Sequence, residues 1–284
     1  PLNSSQAIRL LGVARGVNQR FVNHNLVTQT RDKQWSLTAS GDFDVLTDHV
    51  LSVVAGYRNW ENIEIREGDF LPRAIVGTGE LHDNGAVRTE QLSLEVRLAS
   101  DQSKPFFYQI GGFLWGSDNE QDFTRRNITC ATSTLPIDPI TGGRPCNVND
   151  RTNTLFPTAT SFSQVESRNY AIFGQATYRL TEQLALIGGL RYTWDELDFV
   201  HTRAPGVNAT TGLPATGPGV SGAPAGGTIA SGGNGTNVSA GSSSNGNLSG
   251  RAALQFKPSE DVMLYGSYTR GYKGPAFNVF YNMA

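Results

Sequence analysis

What the chain has little of narrows its class before any pattern is read. Cysteine is nearly absent, with only Cys130 and Cys146 in 284 residues, too few for a disulfide-built scaffold. His24, His49, His82 and His201 are scattered, and no two stand at metal-ligand spacing. Charged residues make up 17% of the chain and the formal net charge is −2, so the basic stripe of a nucleic-acid binder is missing. No run approaches the roughly 18 apolar residues of a membrane helix. That excludes helical spans and says nothing against a β-barrel, whose signal is alternation. Pro1 to Leu11 has neither the basic start nor the continuous apolar centre of a signal peptide. There is no G-x-S-x-G elbow, and no glycine-rich phosphate loop between a strand and a helix. No enzyme, cofactor or metal site is expected.

What is present is a period of two. From Leu184, one register reads Leu, Leu, Gly, Leu, Tyr, Trp, and the other reads Ala, Ile, Gly, Arg, Thr, Asp. No helix face is served by that spacing. The same alternation recurs in Trp35–Phe43, Leu51–Tyr57, Leu92–Leu98, Phe106–Leu114, Ala252–Phe256 and Leu264–Tyr268. The pattern predicts eight strands, at 34–45, 49–59, 90–99, 105–116, 168–180, 184–196, 248–257 and 261–273. They pair into four hairpins with short turns. Between hairpins lie long connections, at 61–89, 117–167 and 197–247, with 204–247 rich in glycine and serine and free of charge. Residues 1–31 read as a further loop leading into Trp35.

Loops longer than about 15 residues are uncommon in compact soluble domains. Here they alternate with tight turns, so all of them emerge at one end of the sheet. Outer-membrane barrels are built this way, with short periplasmic turns and long extracellular loops. A strand of about 11 residues tilted near 45° rises roughly 26 Å, close to the apolar band of such barrels. The expected fold is therefore all-β, an antiparallel up-and-down transmembrane β-barrel segment. Its apolar register meets lipid, and Arg191, Thr193 and Asp195 meet a wet lumen. A soluble β-sandwich would alternate too, but its strands run about five or six residues with loops of mixed length.

Cys130 and Cys146 sit among Thr, Asn, Asp and Pro, where exposed thiols would pair in an oxidising compartment. A local disulfide is the expectation, and two unrelated thiols the alternative. The acidic run Asp118–Phe123 lacks the calcium-loop ligand pattern and reads as a solvated charged stretch. Lumen-facing Arg97, Arg191 and Arg251 are candidate contacts for an anionic ligand. The alternative is a structural ladder with Glu95 and Asp195.

Three stretches carry a resemblance: LSLEVRLAS (92–100), YAIFGQATYRLTEQLALIGGLRYTWDE (170–196) and SGRAALQFKPSEDVMLYGSYTRGYKGPAFN (249–278). Together they resemble the barrel of TonB-dependent outer-membrane receptors of the iron-complex type, over about residues 32–284. The resemblance implies a barrel of about 22 strands with a plug inside it. It also implies capture of a ferric siderophore or haem by loops and lumen walls, with energy from the TonB–ExbB–ExbD complex of the inner membrane. Eight strands would be a portion of such a barrel in the bacterial outer membrane, and no plug motif is seen in residues 1–284. A small eight-stranded anchor or adhesin and a passive porin are the alternatives.

Overall fold

The computed structural model describes residues 25–68, 73–77, 80–139, 142–150, 153–155, 157–204, 207–208 and 237–277. The long strands are β1 (Gln29–Asp44), β2 (His49–Glu67), β3 (Glu80–Ser100), β4 (Phe106–Cys130), β6 (Pro157–Arg179), β7 (Leu184–Arg203), β9 (Asn237–Ser259) and β10 (Val262–Arg270). Two-residue pieces, β5 (Thr154–Leu155) and β8 (Val207–Asn208), pair with β4 and β6. All belong to one sheet in the order β1-β2-β3-β4-β6-β7-β9-β10, with each long strand antiparallel to its neighbours. Among the described residues β1 and β10 do not pair, so the sheet is open. Among the described residues no second sheet packs against it, which argues against the sandwich.

The turns lie close to their sequence-predicted places. Leu46 and Asp48 adopt positive φ in the tight connection before β2. The next turn is fixed from outside, because Arg179 donates to the carbonyls of Gln102, Ser103 and Lys104 and Lys104 pairs with Asp48 of the neighbouring turn.

Register assigns every side chain to a face, because directly opposed residues project to the same side and a one-residue slip reverses them all. The row Leu94–Leu114–Tyr170–Trp194 runs across four strands, and Leu186–Leu254–Gly266 runs across three. Leu94, Val96, Leu186, Leu190, Leu254 and Leu264 therefore share one face, and Glu95, Arg97, Arg191 and Arg251 share the other. The apolar face is bare: Ile172 is 69% exposed, Leu37 67% and Leu190 62%. Aromatic residues bound it at both ends. Phe43, Phe106 and Tyr178 lie near the short turns, and Trp35, Tyr57, Tyr170 and Trp194 lie about eight residues further along their strands. Trp35 and Tyr57 are in contact, with ring centroids 5.0 Å apart.

The upper edge of this band does not follow a register row. Trp35, the last outward apolar residue of β1, lies in the row of Asn59, Glu90, Asp118 and Glu166. On β9 the unbroken outward run of apolar residues has its last large member at Leu248, in the row of Tyr192, Ile172, Gly112, Val96, Val53 and Gly41. Across the sheet the edge slides by six residues along the strand direction, the stagger that tilted barrel strands require.

One expectation is corrected. The stretches 61–89, 117–167 and 197–247 are partly strand: β2 runs to Glu67, β3 starts at Glu80, β4 reaches Cys130, β6 starts at Pro157, β7 reaches Arg203 and β9 starts at Asn237. Above the apolar band the outward face turns mostly polar and apolar residues such as Phe123, Leu197 and Phe199 lie inward, so the outward apolar pattern stops although the backbone ladder continues. Asp118–Phe123 lies within β4, so it is strand and not a calcium loop. Gln29–Arg31 belong to β1, and the rest of the expected first loop, 1–24, lies outside the described residues, as does 209–236. In the other direction, β10 ends at Arg270 and not at 273.

Candidate functional site

The inward face has two levels. The lower level is as deep as the apolar band and holds the three arginines singled out from the sequence. Arg97 and Arg191 lie in one row, linked through Gly111 and Phe173, and Arg251 lies one row below them in sequence with Gly189 and Gln175. They do not converge. Arg97 Nε pairs with Glu95 at 3.1 Å. Arg191 lies over the rings of Phe113 and Phe173, 5.4 and 5.6 Å from their centroids, and donates to Thr193 Oγ1 at 3.1 Å. Such stacking contributes roughly 0.5–2 kcal/mol. Arg251 is exposed. The ladder expected with Asp195 is absent, since Asp195 accepts from the amide of Asn169 instead.

Gly111 makes the Arg191 stack possible. A Cβ there would meet Phe173 Cζ at 2.6 Å and the backbone oxygen of Val96 at 2.7 Å. Gly111→Ala is expected to cost about 1–3 kcal/mol through overpacking, read as a lowered urea midpoint of the refolded barrel. Gly188→Ala is the control, because nothing lies within 4 Å of a Cβ at that position.

The upper level, inside the strand extensions, carries the denser chemistry. Asp83, 3% exposed, takes a bidentate pair of bonds from Arg125, both at 2.7 Å, and a second cation, Arg66, at 3.5 Å. Arg125 also covers the Phe123 ring at 5.6 Å. Two guanidiniums on one carboxylate leave local positive charge. Further round, Phe199, His201 and Arg203 follow one another on the inward register of β7, opposite Ser239 and Gly241 on β9 and Ser161 and Ser163 on β6. His201 and Arg203 are each 1% exposed. Beyond β10 the chain bends across this face: Tyr272 Oη lies 3.2 Å from Asn245 Nδ2, and the Phe277 and Phe199 centroids are 4.4 Å apart.

Among the described residues, neither ring nitrogen of His201 has a hydrogen-bond partner. Burial, and then the charge of Arg203, holds its pKa below the ordinary histidine value of 6.5. The folded state therefore favours the neutral ring. The unfolded chain takes up the proton first as pH falls, so stability drops below about pH 6.5 and levels off only under the lower folded pKa. His201→Leu should lack this acid-sensitive component. At pH 8 it should be more stable by on the order of 1 kcal/mol, because two unpaired polar atoms are removed. Urea midpoints of both proteins between pH 8 and pH 5 check this.

The connections above this face are knitted together. Cys130, the last residue of β4, is bonded to Cys146, with Cα atoms 5.8 Å apart. The segment after β2 pairs with the disulfide loop: Cys146 N donates to Ala74 O, and Val76 N to Arg144 O, each at 2.9 Å. Ala74, Cys130 and Cys146 form a small buried cluster, with Val76 and Ile128 packed against it. Sequence reading found the disulfide partners but not the upper lumen. The signal it lacked was the inward alternation Leu197, Phe199, His201, Arg203, which lies beyond Trp194, the last outward aromatic residue of β7. Among the described residues, no three His, Cys, Asp or Glu side chains are grouped to hold a metal ion.

Residues 12–283 match the family model described as TonB dependent receptor-like, beta-barrel. No curated protein matches the chain. Among solved structures, the chain is similar to the ferric yersiniabactin uptake receptor FyuA from Yersinia pestis. That likeness has 14% identity and a TM-score of 0.54, over 84% of this chain and 28% of that one. The chain is also similar to the open form of the ferric-catecholate import receptor Fiu from E. coli K12, at 13% identity and TM-score 0.49, over 87% of this chain and 36% of that one. The chain therefore spans 28% of the length of the FyuA receptor, and that likeness is one of fold. An open antiparallel meander with a bare apolar face, a polar opposite face and a family match along nearly its whole length leads to one conclusion: the chain belongs to the TonB-dependent receptor β-barrel family.

Proposed function

We propose that this chain is a wall segment of an outer-membrane importer for a ferric siderophore, with haem as the second candidate cargo, energised by the TonB complex through a plug elsewhere in the receptor. The observation that supports it most is the division of the inward face. Its upper level combines cations, aromatic rings and serine hydroxyls under tied-down loops, which suits an anionic, ring-bearing iron complex. Arg97, Arg191 and Arg251 lie deeper, where they would meet cargo only after its release from the mouth. No bond is made or broken in the cargo: positioned charge and rings capture it, and displacement of the plug lets it pass. The family is one of transporters, consistent with a role in uptake and not in catalysis.

The test is uptake of radio-iron equilibrated with spent medium from an iron-starved culture of the source bacterium. Deletion of the gene should lower uptake about tenfold or more, the scale of losing a specific binding free energy of about 1.4 kcal/mol. Complementation should restore it, and a protonophore should abolish it. Uptake unchanged by deletion sinks the proposal. Uptake that survives the protonophore points to a passive pore instead. Growth on haem as sole iron source separates the two cargoes.

A further inference from the structure

Strand β10 stops while its partner goes on. It pairs with β9 as far as Arg270 opposite Gly250, and β9 continues to Asn237 with β7 on its other side. Among the described residues, one edge of β9 is therefore unpaired over 237–249.

The chain that could have filled this edge crosses the inward face instead. Asn245 Nδ2 donates to Tyr272 Oη at 3.2 Å, and the Tyr272 hydroxyl is also hydrogen-bonded to Asp195. Gly274 lies against the same carboxylate, since a Cβ there would be 3.1 Å from Asp195 Oδ2. Phe277 ends on the ring of buried Phe199, with centroids 4.4 Å apart. Asn245 belongs to β9, and Asp195 and Phe199 to β7, so the segment crosses one strand and climbs the next. Side chains hold it there. Among the described residues no backbone hydrogen bond joins 271–277 to either strand, and Gly271 at its root has open space around it.

The same residues also fit the empty edge. With the register continued, 271–274 would stand opposite 249–246, and Tyr272 would lie beside Leu248 on the outward face, next to Tyr192. An interfacial tyrosine belongs at that level. Pro275 has no N–H to offer and would end the ladder. One position is held by a ring contact and the hydrogen bonds of Tyr272. The other would be held by a few ladder bonds, each of small net value after exchange with water. Neither is locked.

We propose that 271–277 is a two-position strap. Latched, it lies across the lumen wall with Tyr272 on Asp195. Zipped onto the free edge of β9, it uncovers Asp195 and Phe199 to the lumen and carries Tyr272 to the outward face. This holds whichever cargo the receptor takes.

Double electron–electron resonance on the full-length receptor in lipid nanodiscs, with spin labels at Gln91→Cys and Lys273→Cys, tests it. The native cysteines are joined to each other and take no label. Zipping carries the second label away from β3 by about one and a half strand spacings, roughly 7 Å. The receptor should show two separations differing by about that much, the shorter one dominant. Tyr272→Phe, which takes the hydroxyl off Asp195, should raise the ratio of longer to shorter about fivefold, the scale of one hydrogen bond. Gly274→Val, which sets a side chain against Asp195, should shift the ratio the same way and reads the latch without touching the hydroxyl. Heat-modifiable migration on gels identifies the folded variants. A single separation in all folded proteins overturns the proposal, as does a ratio that the folded variants leave where it was.

Discussion

Leu190→Arg is expected to destabilise the membrane-inserted barrel by about 2–4 kcal/mol, the cost of a guanidinium on the lipid face near the bilayer midplane. Leu190 is central among the outward apolar positions of β7, between Leu186 and Trp194, and its side chain makes few protein contacts: it is 62% exposed. In a soluble sheet the same substitution would be neutral, because no packing is lost and a charge is added at a wet surface. The adjacent reversal, Arg191→Leu, removes only the stack on Phe113 and Phe173 and the bond to Thr193. It should cost no more than about 2 kcal/mol. Urea titration of the receptor refolded into lipid vesicles reads both. A smaller effect at Leu190 than at Arg191 would contradict the assignment of faces.

Removing the disulfide with Cys130→Ser and Cys146→Ser is expected to release about 3 kcal/mol of unfolded-chain restraint on the simple loop-closure model. The effect should be local. The bond ties the end of β4 to a loop that itself pairs with residues 74–76 after β2, and below Cys130 the barrel ladder continues without it. Limited proteolysis should therefore cut the variant between 131 and 153 while the barrel remains resistant, and the urea midpoint of the strands should move little. Global unfolding of the variant would mean that the loop platform holds the upper strands together, and that the ladder alone does not.

The part of the fold with the bare apolar face was legible in the sequence because one register there is apolar and the other is not. Leu, Val, Gly and aromatic residues on one register against Arg, Thr and Glu on the other set strand, face and neighbour at once. Above Trp35 and Tyr170 that contrast ends. Residues such as Asp118, Glu120 and Asp122 outward and Asn119 and Gln121 inward are all polar, so nothing in their chemistry marks the strand, yet their backbones pair without interruption. The same blindness hid the upper lumen. Arg191 was found because it interrupts an apolar sequence. His201 and Arg203 follow Leu197 and Phe199 on the register that was polar lower down the strand, and only folding shows that both are buried. The shortened β10 had a different cause: YKGPAF continues the alternation, but Pro275 cannot donate to a ladder and Tyr272 and Phe277 turn inward onto β9 and β7.

The central claim is that one register of this sheet meets hydrocarbon and the other meets water. Spin labels placed one at a time from 186 to 195 along β7 in the vesicle-reconstituted receptor, with accessibility to oxygen and to a water-soluble nickel chelate measured at each, test it most directly. Oxygen accessibility should peak at Leu186, Leu190 and Tyr192 and chelate accessibility at Ile187, Gly189 and Arg191, in antiphase with a period of two. In-phase accessibility, or a chelate signal equal on both registers, would contradict it.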